Sequence, residues 1–258
     1  MQTLSRREKS LLCALLTRGG RKRSNCCRCE GLRAVREMLA ERPDLIEFTV
    51  GTGRGLASLG GVEPPDFRLV SEEEFSQFSA TVNHQGILAV GRIPDFAETP
   101  PQGDFILALD GVADPGNFGT ISRTFRAIGG KDVWYTEGSI DPWGDKAIRS
   151  GLGAQFSLRF RRFATLESLA DCAKSFGFNT LFVADPHDGE VCFDCDDLFR
   201  KTVLVIGGEA NGASTPPAGS RRVIIPMPGD YESLNAAQAA TVILLEYVRR
   251  TRKGGTGC

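Results

Sequence analysis

The sequence predicts an α/β protein in two parts: a small mixed α/β piece, then a parallel sheet with helices on both faces. Three observations predict it. In the second part short, continuous apolar runs alternate with helical stretches, the pattern of strands buried on both faces between helices. In the first part helical stretches are mixed with only a few strand-like runs. Between them residues 94–103, PDFAETPPQG, place three prolines in ten residues, which reads as a linker or long loop. The expected boundaries are 1–95, a linker at 96–103, and a second domain at 104–253.

The elements follow in order. Residues 4–16 and 32–39 have helical apolar spacing, and 45–50 and 87–90 read as strands. Ser71 with Glu74 has capping-box spacing for a helix running through Phe78. After the linker, 105–109, 133–135, 181–184, 203–206 and 223–225 read as strands. Residues 118–128, 166–176 and 234–250 read as helices. In a doubly wound sheet of this kind the ligand sits off the carboxyl ends of the strands.

Composition narrows the function classes. A chain of 258 residues buries a core without disulfide or metal staples. Apolar content of 41% and charge of 24% exclude a disordered or collagen-like chain. No apolar run approaches the roughly 18 residues of a membrane helix. The net charge of −1 is uneven: residues 1–36 hold ten Lys/Arg against two Asp/Glu, leaving 21 against 30 for the rest. A basic end on an acidic chain suits a polyanion such as nucleic acid; the plainer reading is a solvated helix face. The same Arg-rich start has the composition of a transit peptide, but it runs straight into patterned sequence. Eight cysteines include the C-x-x-C spacings Cys26/Cys29 and Cys192/Cys195. These pairs are too far apart in sequence for a ribbon-type zinc site, so no metal is expected and buried thiols are the better reading.

Three segments carry chemistry. In the first, 109–119 (LDGVADPGNFG), a strand ends, a Pro-Gly turn follows and a helix opens near Asn117. Phe118, Ile121, Phe125 and Ile128 share one stripe of that helix, and Arg123 falls opposite it. A helix N-terminus with an outward Arg is a natural phosphate site. Alone, Asn117 is as well read as an N-cap and Arg123 as a surface charge. In the second, 203–212 (VLVIGGEANG), a buried strand runs into glycines around Glu209, where a ligand can approach closely. The alternative is a Gly-rich turn with a solvated Glu. In the third, 225–235 (IPMPGDYESLN), Ser233 can cap a helix whose alanines, Ala236, Ala237, Ala239 and Ala240, admit close packing against the core or a second subunit.

These segments resemble the signature motifs of the SpoU (TrmH-type) branch of the SPOUT RNA methyltransferases, over about 105–250. Residues 141–150 (DPWGDKAIRS) also fit, and the basic start, Glu30-Gly31 and 83–90 (NHQGILAV) resemble the family's N-terminal RNA-binding domain, which is like a ribosomal protein. The resemblance implies a C-terminal deep trefoil knot, bound S-adenosyl-L-methionine (AdoMet), a homodimer in the cytoplasm, and methyl transfer to a ribose 2′-hydroxyl. It makes Asn117, Arg123, Glu209, Ser233 and Asn235 catalytic, and sets Gly207, Gly208, Ile225, Met227, Ser233 and Leu234 against AdoMet. Arg21, Lys22, Arg23 and Arg123 would face RNA, ribosomal ahead of transfer RNA. Two departures stand out: Ala210 where the motif more often has Gly, and Cys26-Cys27-Arg28-Cys29 in place of an apolar first strand.

Rival readings remain on the sequence. Residues 50–55 (VGTGRG) hold a G-x-G-x-G of dinucleotide-binding type, but no clear helix follows. A non-catalytic RNA-binding or ribosome-assembly protein, or a base methyltransferase, would share the fold. The first of these has no chemical need for all five polar site residues together.

Overall fold

The computed structural model describes residues 3–209, 212–229 and 233–254. Ala210, Asn211 and 230–232 lie outside them, so the Ala210 departure has no structural counterpart here. The chain forms two compact units, 1–95 with 141–157, and 96–140 with 158–258.

The first unit contains α1 (Arg6–Ala14), α2 (Arg18–Ser24), β1 (Cys26–Glu30), α3 (Leu32–Glu41), β2 (Ile46–Gly51), α4 (Gly53–Ser58), β3 (Phe67–Leu69), α5 (Glu72–Phe78) and β4 (Ile87–Arg92). Its sheet runs β1-β4-β2-β3, antiparallel except for β2–β3. Leu12, Leu15, Phe75 and Phe78 pack on Phe48, Val50, Leu88 and Val90 of that sheet. Ser5 and Glu8 form a full capping box on α1. Ser71 caps α5, accepting from the Glu74 N–H at 3.1 Å, but Glu74 turns away to pair with Lys9 at 2.7 Å.

The stretch 83–86 proves to be a junction. Gln85 Oε1 accepts from the Leu32 N–H at 2.8 Å and caps α3, which has no side-chain cap from Gly31. His84 packs on the Phe75 ring at 4.7 Å and meets Ser76 Oγ at 2.9 Å. The Gly86 carbonyl accepts from Thr52 at 2.8 Å, and a Cβ on Gly55 would lie 1.8 Å from that oxygen. Contrary to the expectation that no clear helix follows, a short helix, α4, opens inside the G-x-G-x-G at Gly53, and Gly55 is there because backbone passes backbone.

The segment Cys26–Glu30 is the first strand after all. Cys27 and Cys29 are fully buried, and burial pushes both thiols up, so they serve as small apolar groups. Arg28, also fully buried, donates to the Phe78 carbonyl at 2.6 Å and to Glu30 at 2.6 Å. Segment 141–157, with α7 (Asp145–Ser150), belongs by its contacts to this unit. Asp141 receives two hydrogen bonds from Arg21, at 2.9 and 2.7 Å, and Asp145 lies 3.6 Å from Arg28. Burial raises the Asp145 carboxyl above the usual range, with Arg149 and Arg28 opposing.

The second unit is a seven-stranded sheet, parallel throughout: β5 (Phe105–Asp110), β6 (Asp132–Thr136), β7 (Arg159–Phe163), β8 (Thr180–Ala184), β9 (Glu190–Val191), β10 (Thr202–Gly207) and β11 (Arg221–Ile224). The order is β7-β6-β5-β10-β8-β11-β9. Helix α8 (Leu166–Ser175) packs Leu166, Leu169 and Ala173 on Ile106, Trp134 and Val203. Phe118 and Phe125 of α6 (Pro115–Ala127) and Tyr247 of α9 (Ala236–Gly254) meet Tyr135 and Phe105 in ring contacts. The proline-rich stretch is pinned to this unit: Gln102 and Gly103 N–H donate to Asp132 at 2.7 and 3.1 Å, and Arg159 lies over the Phe96 ring.

Candidate active site

The carboxyl ends of β8, β10 and β11 open on a cleft of about 140 Å³, closed on one side by α9. Gly207, Gly208, Ile225, Met227, Ser233 and Leu234, the six residues expected against a cofactor, all line it. Apolar groups from Ile206, Val223 and Ile243 form the floor. The sequence reading missed Ala184, Asp185 and Pro186 in the wall, although the carboxyl-end rule applied to β8 points to them.

The glycines serve the chain as well as a ligand. A Cβ on Gly208 would lie 2.2 Å from the Gly111 carbonyl oxygen, and one on Gly207 would lie 2.2 Å from the Ala213 nitrogen. The end of β10 is thus wedged between the turn after β5 and the returning chain. The buried Asp110, at the end of β5, holds that returning chain by accepting from Ser214 N at 2.6 Å and Ser214 Oγ at 2.7 Å.

Two helix starts differ from expectation. Asp114, not Asn117, caps α6: its Oδ1 accepts from the Asn117 N–H at 2.8 Å, with Pro115 in the first turn. Asn235, not Ser233, caps α9: its Oδ1 accepts from Ala237 at 2.9 Å and Gln238 at 3.3 Å. Both corrections free polar groups for the site. The Asn117 side chain donates to Glu209 Oε1 at 2.5 Å. The Asn235 amide spends its oxygen on the helix, so its NH2 faces Glu209 Oε1 and Asn117 Oδ1, the latter at 3.2 Å. Three segments far apart in sequence thereby meet around one carboxylate.

Arg123 and Ser233 stay out of this network. Arg123 is exposed on α6, opposite the buried Phe118, Ile121 and Phe125, and no hydrogen bond or ion pair joins it to another described residue. Ser233 is exposed at the cleft. Of the basic residues assigned to RNA, Lys22 and Arg23 are exposed. Arg21 is a correction: it is 6% exposed, and its guanidinium is spent on Asp141 and the Leu15 carbonyl, the latter at 2.8 Å. Among the described residues no helix is long and apolar enough to cross a membrane.

Both parts of the chain are similar to known proteins. Residues 104–245 match the SpoU rRNA Methylase family, and 29–97 match the RNA 2′-O ribose methyltransferase substrate binding family. An uncharacterized tRNA/rRNA methyltransferase of Synechocystis is 32% identical over 240 residues, 86% of this chain and 87% of the relative. A 23S rRNA uridine 2′-O-methyltransferase of Streptomyces viridochromogenes is 34% identical over 182 residues, 66% of this chain and 62% of the relative. Among solved structures, a protein described as a TrmH-family RNA methyltransferase from Porphyromonas gingivalis superposes with a TM-score of 0.82 at 31% identity, covering 96% of this chain and all of that one.

Proposed function

The chain belongs to the SpoU rRNA Methylase family, an AdoMet-dependent RNA 2′-O-ribose methyltransferase, and we propose that it methylates ribosomal RNA at the Asn117–Glu209–Asn235 cluster. The observation that carries this reading is the convergence of those three side chains beside a cleft of cofactor character. The lining suits AdoMet: apolar walls for the adenosine, exposed backbone for its polar edges, and carboxylates at the rim for its positive charge. When bound there, AdoMet supplies a methyl group on a sulfonium, a strong electrophile.

The protein's part is alignment. Holding oxygen, methyl and sulfur in line supplies up to roughly 7–11 kcal/mol of barrier reduction. Glu209 is fixed by two amides, one of which is itself fixed by capping α9. Arg123, exposed and unpaired among the described residues, grips the phosphate beside the target ribose. Its guanidinium has donors and no acceptor, so it is not the base. Lys22 and Arg23 on α2 hold RNA phosphates. The strand order, with β10 set between β5 and β8, supports the trefoil knot, and exposed Leu245 on α9 supports a homodimer through that helix.

Methyl transfer from labelled AdoMet to unmodified ribosomal and transfer RNA, followed by alkaline hydrolysis, tests the proposal. Label in alkali-resistant dinucleotides from ribosomal RNA is expected, because a 2′-O-methyl group blocks cleavage at its own phosphate. Label in mononucleotides would mean base methylation, and label confined to transfer RNA would move the substrate.

A further inference from the structure

Two carboxylates among the described residues line the cleft, and their charges are treated differently. Asp185 Oδ1 accepts from the backbone N–H groups of His187 and Asp188 at 2.8 and 3.1 Å. Its Oδ2 lies 3.1 Å from the Arg222 guanidinium, which also approaches Asp188 at 3.9 Å. The Asp185–Arg222 pair is therefore neutral overall. Among the described residues Glu209 is held only by neutral amides, both on Oε1, and no Lys, Arg or His forms an ion pair with it. No described cation compensates its negative charge at the cleft.

We infer that Glu209 is a charge-selective residue: it favours the cationic cofactor AdoMet over the neutral product S-adenosylhomocysteine, and so speeds exchange of product for cofactor. The inference rests on the cleft being the AdoMet site. Methyl transfer breaks a carbon–sulfur bond, whose electron pair stays on sulfur. A lone pair of the ribose oxygen forms the new carbon–oxygen bond, and the hydroxyl proton passes to water. The cofactor loses one positive charge; its adenine, ribose and amino-acid parts are unchanged. The ratio of the two affinities thus isolates the electrostatics at sulfur. A single charge at a hydrated rim discriminates by about fivefold, and salt screens it.

Calorimetric titration of both compounds into the full-length protein tests this, with no turnover involved. Glu209→Gln, which keeps an acceptor for both amides, should weaken AdoMet about fivefold and leave S-adenosylhomocysteine within about twofold. An analogue with a protonated amine in place of the methylsulfonium should follow AdoMet, separating charge from methyl contact. The double variant Asp185→Asn/Arg222→Gln removes a neutral pair, so any loss should fall equally on both compounds. On the unmodified protein, the preference for AdoMet should shrink as salt rises, a reading that survives even if the Gln variant misfolds. Equal weakening of both compounds by Glu209→Gln, or a salt-independent ratio, would overturn the inference and leave the cleft assignment standing. Ala239→Trp, at the half-buried wall on α9, should abolish binding of both. Intact binding in that folded variant would move the cofactor elsewhere and overturn both readings.

Discussion

Two arginines show how the two units use one residue type for opposite ends. Arg28 is fully buried, donates to a carbonyl and to Glu30, and faces Asp145 at 3.6 Å. Arg123 is exposed on α6 with no described partner. Arg28 is taken out of water and paired, so it holds structure. Arg123 stays at the surface with no described partner, so it remains available to a ligand. Residue type does not separate the two jobs; what each guanidinium touches does.

The largest expected effect would break that contrast on its structural side. Arg28→Ala leaves Glu30 buried without its cation and Asp145 with Arg149 alone, so unfolding in urea should show a loss of about 3–5 kcal/mol. A loss below about 1 kcal/mol would mean that water reaches the pair and that the burial is not felt. Arg123→Ala is the counterpart. Its stability should stay within about 0.5 kcal/mol, while methyl transfer falls about 100-fold or more. AdoMet affinity in this variant should hold within a few fold. A large loss of AdoMet binding would refute the RNA-facing role.

Asn235 sits on the border of the contrast, because one amide serves both structure and site. Asn235→Ala removes the α9 cap and should cost about 1 kcal/mol, along with activity. Asn235→Ser keeps a capping oxygen but loses the NH2 that fixes Glu209. That variant should melt close to the parent and still methylate poorly. If serine restored activity, the amide–carboxylate contact would be incidental.

The fold was legible where burial is two-sided and the residues say so: β5, β8 and β10 are unbroken apolar runs. It was not legible in β7, RFRRF, which has no continuous apolar run; Arg159 and Arg161 lie over the rings of Phe96 and Trp134 instead. Nor could chain order reveal that 141–157 packs with residues more than a hundred positions earlier; two aspartates facing Arg21 and Arg28 decide that. At the site the segments were visible and the caps were not. Reading Asp114-Pro115 as cap and first helical residue would have moved α6 back by a turn and left the Asn117 side chain free.

The smallest effect sharpens the comparison within a single helix. Arg21, Lys22 and Arg23 are consecutive on α2, yet only the first is buried and ion-paired. If exposure decides which arginine meets RNA, Lys22→Ala/Arg23→Ala should leave melting unchanged and weaken RNA binding. The slope of log affinity against log salt should flatten by about 0.7 for each phosphate of single-stranded RNA that is no longer neutralised. Arg21→Ala should do the reverse, lowering stability by stranding Asp141 while the salt slope stays put. A flattened slope in the Arg21 variant at full stability would place that guanidinium on RNA and return all three residues to one basic patch.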